Sequence, residues 1–342
     1  MNAMVLKQCT SLETNQTPLL LEELPVPTPG PNEVLIKVSA CGVCHTELDE
    51  IEGRTPPAFF PVILGHQVVG IIISQGLEVK KSMIGQRVGV AWIYSSCGKC
   101  EFCKSGRENL CSAFKATGRD KNGGYAEYMT ASEKFIYPIP DFFSDVEAAP
   151  LLCAGAIGNR SIALSNLKNG QNLGLMGFGA SAHLVLKMVR DLFPSTKVFV
   201  FSRNSEERSF ADQLGASWSG DISDKSPEKL HSIIDTTPVW KPVVNSLENL
   251  EKGGRLVINA IRKENQDQNL LLKLSYEKHL WMEKEIKTVA NVTGKDVKDF
   301  LKFAAASVIK PVYQEYRLKD ANKALMDLKN KSIKGAKVLK IH

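Results

Sequence analysis

No uninterrupted apolar run in this 342-residue chain reaches the roughly 18 residues that cross a bilayer; residues 68–73 are apolar but short, and already contain Gly70. Long Lys/Arg blocks are absent, and 43 basic against 37 acidic side chains leave a net charge of +6, too mild a bias to point to nucleic acid. The opening stretch, Met1 to Gln8, lacks the basic start and apolar core of a secretory signal. Internal repeats and low-complexity tracts are missing too. Hydrophobic residues at 43 % and charged residues at 23 % exclude a disordered or collagen-like polymer. These absences leave a soluble globular protein, expected in the cytoplasm, with neither membrane nor nucleic acid as partner.

Cysteine is what the sequence does have. Of eight, four fall between Cys97 and Cys111, and without an export signal such a cluster points to metal rather than to a disulfide framework. Cys97, Cys100, Cys103 and Cys111 form C-x2-C-x2-C-x7-C in a polar lobe that also holds Gly98, Lys99, Lys104, Ser105 and Gly106. Four thiolates about a turn apart surround one tetrahedral ion, and Zn²⁺ suits a closed four-sulfur site without redox chemistry. A bacterial-type iron–sulfur run has a shorter last gap and a Pro after the last Cys, where Ser112 stands here. The lobe is therefore expected to be structural.

The length suits two domains of roughly 100–200 residues each. Pro25, Pro27, Pro29 and Pro31 block a helix early on, and residues 33–40, 68–73 and 87–92 read as strands rich in β-branched side chains. After Pro150 the texture alternates. Strands are expected at 172–176, 197–202, 232–235, 255–259 and 285–290, and helices at 181–191 and 206–214. Such alternation implies a parallel, doubly wound sheet, so the fold class is α/β with a β-rich first domain. Helices near 296–307 and 320–329 and an apolar end at 338–341 form a tail that returns to that domain.

Gly177-Phe178-Gly179-Ala180-Ser181-Ala182 is G-x-G-x-x-A after a strand and at the start of a helix, the context in which this turn cradles a pyrophosphate. The acid that usually accepts from the ribose hydroxyls of NAD is missing, because residues 197–201 lead into Ser202-Arg203-Asn204. A hydroxyl and an Arg suit a ribose phosphate, so NADP(H) is expected over NAD(H); the other reading of Arg203 is a solvated surface charge. His183, on the helix after the turn, reads as a surface residue, and the Lys-rich residues 319–340 as a solvated face. Cys44, His66 and Cys153 lie far apart in the chain. Each is readable alone as a packed core residue, and Cys41 with Cys44 as a redox pair.

The segments CGVCHTELD, ILGHQVVG, CGKCEFCKSGRENLC, NGGYAEY and LLCAG, in this order and at these intervals, resemble the zinc-dependent alcohol dehydrogenases of the medium-chain dehydrogenase/reductase superfamily, over essentially the whole chain. Residues 51–57, 89–92 and 177–183 resemble a bacterial subgroup in particular. The resemblance implies a GroES-like catalytic domain over residues 1–152, rejoined by 291–342, and a Rossmann-type cofactor domain over 153–290. It implies two zinc ions per chain, one structural and one catalytic. Cys44, His66 and Cys153 become the ligands of the catalytic ion, with a fourth position left open.

By the same resemblance Thr46 bonds the alcohol oxygen and passes its proton on towards Asp49 or solvent, Glu47 orients His66, and His45 contacts a cofactor phosphate. Gly177, Gly179, Ala180, Ser202 and Arg203 complete the cofactor site, and Trp92 narrows the substrate pocket. Gln67 departs from the Glu of many relatives, Asp49 from a His, and Ile157 from a Thr. The implied reaction is hydride transfer between a small primary alcohol or aldehyde and NAD(P), in a homodimer or homotetramer. Two rivals are a zinc-free quinone or enone reductase of the same fold and a zinc-dependent binding protein without turnover.

Overall fold

The β-branched runs of the first 150 residues form strands, and the longest outgrows its expected length: Glu33–Val43 carries the extended backbone up to Cys44. The computed structural model describes residues 1–81, 83–330 and 334–342. Two units emerge, Met1–Ala156 with Val292–His342, and Ile157–Asn291. The sequence reading divides the chain at 152/153, whereas these units meet at 156/157, which keeps Cys153 in the first.

Among the described residues, the main sheet of the first unit runs in the order Ile136–Pro138, Arg87–Val90, Val68–Gln75, Glu33–Val43, Ala336–Lys340, Tyr313–Arg317, with Tyr128–Ser132 also paired to Glu33–Val43. A three-stranded sheet of Leu19–Glu23, Asn2–Leu6 and Val62–Ile63 packs its inner face into the same core, where Met4, Leu6, Ile36, Ile51 and Tyr125 are buried. The strand expected over 87–92 stops at Val90, and Ile93–Ser95 pairs instead with Lys115–Ala116. The returning tail is structural as well as sequential. Ala336–Lys340 lies antiparallel to Glu33–Val43, with Leu339 opposite Cys41 and Lys337 opposite Val43.

The second unit is a six-stranded parallel sheet in the order Trp218–Gly220, Val198–Phe201, Leu173–Met176, Leu230–Asp235, Leu250–Ile258, Glu285–Thr288. Chain order runs outwards from Leu173–Met176 in both directions, so the sheet is the doubly wound one expected. Its switch point lies between Leu173–Met176 and Leu230–Asp235, where such sheets open a crevice at the carboxyl ends of their strands. Phe199, Phe201, Ile233 and Leu256 form its core. Among the described residues, no helix is long and apolar enough to cross a membrane.

Two surface expectations are corrected. His183 is fully buried, because helix Ala180–Leu192 is covered on that face and Phe210 of helix Ser205–Gln213 lies 6.1 Å from its ring. Lys337 is buried too, because helices Asp145–Pro150 and Ala321–Lys329 pack against its strand; burial pushes its ammonium down to about 8. Residues 331–333 of that Lys-rich stretch lie outside the described residues.

Candidate active site and metal centres

Cys44, His66 and Cys153 are delivered by three different local devices. Cys44 ends the long strand and caps helix His45–Ile51, with extended backbone angles. His66 follows Gly65, whose φ of +97° and close approach to the Tyr125 ring fit no other residue type. Cys153 sits in a π-helical turn, Leu151–Gly155, wedged between helices Asp145–Pro150 and Ala156–Ser165. One-turn π segments often re-aim a side chain at functional sites. No periodicity in the sequence announces this one.

The three ligand atoms converge within 4.8 Å of one another, and His66 Nε2 lies 3.3 Å from Cys153 Sγ. Sulfur and nitrogen bound at about 2.0–2.3 Å to one tetrahedral ion stand about 3.5–3.8 Å apart, so two thiolates and an imidazole here fit a Zn²⁺ with one position free. His66 Nδ1 meets Glu47 Oε1 at 2.6 Å, which leaves Nε2 as the ligand atom. Glu47 Oε2 accepts from Cys44 N at 2.7 Å, so one carboxylate braces two ligands. Thr46 Oγ1 stands 3.6 Å from Cys44 Sγ.

The Cys153 thiol donates to Cys44 and, helped by His66, holds Cys44 well below the usual thiol range despite its burial. The same bond, with burial, pushes Cys153 well above that range. Burial disfavours the His66 imidazolium, but Glu47 and Cys44 outweigh it and raise its pKa. A bound cation takes the place of those protons.

The four-cysteine lobe brings its ligands together in the same way, with all four sulfurs within 4.8 Å and Cys97 Sγ 3.9 Å from Cys103 Sγ. Backbone N–H groups of Lys99 and Cys100 lower Cys97 to about 6, poised for a thiolate ligand. Four sulfurs close the shell, so this centre is structural in kind. Glu108 Oε1 accepts from Gly294 N at 2.7 Å and ties the lobe to helix Gly294–Ala306.

In the second unit Gly177 takes a φ of +82° at the end of Leu173–Met176, and a Cβ there would meet Thr236 and Thr237 about 3 Å away. Gly179 caps helix Ala180–Leu192, and nothing lies within 4 Å of where its Cβ would stand. An open turn above a helix N-terminus fits a pyrophosphate. Arg203 is exposed just beyond Val198–Phe201, and Arg208 Nη1 donates to Ser202 O at 2.7 Å. The sequence reading missed Glu207, whose carboxylate accepts from the Ser202 hydroxyl. It stands five residues on from Ser202, on the next helix, and a search confined to the strand end passes it by.

The remaining candidates are in the first unit. His45 is exposed on the first turn of its helix. The Asp49 carboxylate accepts from Arg54 Nε at 2.6 Å, an ion pair no motif signalled. Trp92 packs on Phe114, with ring centroids 5.1 Å apart, and the Arg119 guanidinium lies 5.4 Å from its ring centroid. Gln67 is buried behind His66.

Residues 30–141 match the family model described as alcohol dehydrogenase GroES-like domain. A probable alcohol dehydrogenase, AdhA, of Mycobacterium tuberculosis is 41 % identical over 321 residues, covering 92 % of this chain and 91 % of its own. Among solved structures, the alcohol dehydrogenase of the archaeon Aeropyrum pernix superposes with a TM-score of 0.87 at 22 % identity, covering 99 % of this chain and 100 % of the other. The Helicobacter pylori enzyme CAD, in complex with NADP(H), gives a TM-score of 0.85 at 22 % identity, covering 100 % and 99 %.

Proposed function

The chain belongs to the zinc-type medium-chain alcohol dehydrogenase family, and from that premise we propose that it moves a hydride between a primary alcohol or aldehyde and NADP(H). The observation that carries the reading is the convergence of Cys44, His66 and Cys153 within 4.8 Å, with Glu47 behind and the Thr46 hydroxyl beside. A zinc-free quinone or enone reductase would have no use for that donor set.

When bound, zinc supplies a Lewis acid at the substrate oxygen and the nicotinamide supplies or accepts the hydride. The protein's own residues do the rest. Cys44, His66 and Cys153 would hold the ion, and Glu47 orients the imidazole through its Nδ1. Thr46 takes the proton of the alcohol oxygen and hands it towards Asp49 or solvent. Trp92, braced by Phe114, restricts the pocket to small or linear substrates. Cys97, Cys100, Cys103 and Cys111 hold the second, structural zinc.

The Gly177–Ala180 turn receives the cofactor pyrophosphate. Arg203 and Ser202, with Arg208 alongside, favour a ribose phosphate, while the Glu207 carboxylate is occupied by the Ser202 hydroxyl. The reading places the enzyme in the cytoplasm as a homodimer or homotetramer. Exposed Trp281, Met282 and Ile286, at and before the edge strand Glu285–Thr288, support a second copy there.

Metal analysis joined to a screen of alcohols and aldehydes with both cofactors tests the whole reading. Two zinc ions per chain, turnover of primary alcohols, and loss of one zinc with activity in Cys153→Ala are expected. One zinc and turnover of enones alone would overturn it.

A further inference from the structure

Behind the Glu47–His66 pair, helix His45–Ile51 carries a second buried acid. Glu50 follows Glu47 by three residues, which puts both carboxyls on one face with Cβ atoms about 5–6 Å apart, and both residues are fully buried. Glu47 is engaged by an ion-pair contact with His66 and by a hydrogen bond from the Cys44 N–H. Glu50 is not: neither of its oxygens has a hydrogen-bond partner among the described residues. The Tyr125 hydroxyl, which feels the charges of both Glu47 and Glu50, is likewise buried without a partner.

A lone carboxylate in such surroundings is strongly disfavoured. Burial, then the neighbouring Glu47 and the Cys44 thiolate, push the Glu50 carboxyl well above the usual range, against His66 and Arg119. Arg119 is already committed to Asp120 at 2.7 Å and to the Trp92 ring. With Glu47 and two thiolates present, a divalent ion leaves the centre at one net negative charge, so a further anion finds no counter-charge. The neighbours call for a proton donor.

We propose that Glu50 is a positioning residue for the catalytic metal centre: as the neutral acid it donates, through one buried water shared with the Tyr125 hydroxyl, towards Glu47, and so fixes the carboxylate that orients His66. Glu47, Glu50 and Tyr125 give that water three polar partners, the usual number for a buried one. The proposal rests on Cys44, His66 and Cys153 binding metal.

Infrared spectra at neutral pH provide a readout that needs no metal. A protonated-carboxyl band present in the wild type and lost in Glu50→Gln is expected. Chelator competition then reads the catalytic zinc. Glu50→Leu is expected to weaken it about 10-fold or more, leaving the four-cysteine zinc unchanged, while Glu50→Gln, which keeps a donor, restores the affinity. Absence of the band overturns the proposal, as does a Leu variant that holds both zinc ions like the wild type. If the Leu variant fails to fold, the infrared comparison and the zinc affinity of Glu50→Gln decide. A wild-type protein binding only one zinc overturns the metal reading together with this one; loss of the Glu50 effects alone leaves the metal reading standing.

Discussion

At His183, burial becomes a dependence on pH. Its imidazole has no exposed surface, and desolvation lowers its pKa from 6.5 to about 4. Between those values the unfolded chain takes up a proton that the folded chain refuses, so stability falls as pH falls from about 6.5 to about 4 and is flat in this respect above. The difference amounts to about 3 kcal/mol. Thermal melts across that range are expected to show a slope one proton shallower in His183→Leu than in the wild type. A second prediction belongs to Arg203, exposed at the end of Val198–Phe201. A charged contact to a ribose phosphate contributes about 1.5–3 kcal/mol. Arg203→Asp is therefore expected to move the NADP/NAD ratio of kcat/KM about 10- to 100-fold towards NAD, and an unchanged ratio would remove Arg203 from the cofactor site.

Among the elements, those buried on both faces were the easiest to read from sequence. Leu173–Met176 and Val198–Phe201 are unbroken apolar runs because both faces of the sheet are covered, and the run is its own signal; Leu230–Asp235, with His231, Ser232 and Asp235 in it, is legible only from Ile233 and Ile234. The four-cysteine lobe was readable because its ligands lie within one short segment. Cys44, His66 and Cys153 were not, since three separate folds of backbone bring them together; only the resemblance joined them. Local pattern also misled where tertiary cover decides exposure, at His183 and Lys337, and it was blind to the π turn of Leu151–Gly155. The segment before His66 makes this testable. A Cβ at Gly65 would stand 2.4 Å from the Tyr125 ring at a φ of +97°. Gly65→Ala is expected to destabilise the protein by about 1–3 kcal/mol and to lower its catalytic zinc content, measured by denaturant midpoint and metal analysis.

For the whole molecule, the question is what covers the exposed edge of the parallel sheet. All four residues of Glu285–Thr288 are exposed, and Trp281, Met282 and Ile286 place apolar surface there. An uncovered apolar edge strand invites pairing with another chain. Ile286→Lys is expected to shift the protein towards monomer in sedimentation experiments, with its zinc content intact; an unchanged assembly state would place the interface elsewhere.

The pairing of Ala336–Lys340 with Glu33–Val43 also sets an order of events during biosynthesis. The second unit is one continuous stretch, Ile157–Asn291, and is able to form while the ribosome is still translating. The first unit is not, because its central strand, the one that leads to Cys44, waits for a neighbour that follows the whole of the second unit in the chain. A chain stalled or clipped before residue 336 would carry every metal ligand and a finished cofactor fold, yet leave the sheet that holds Cys44 open along one edge.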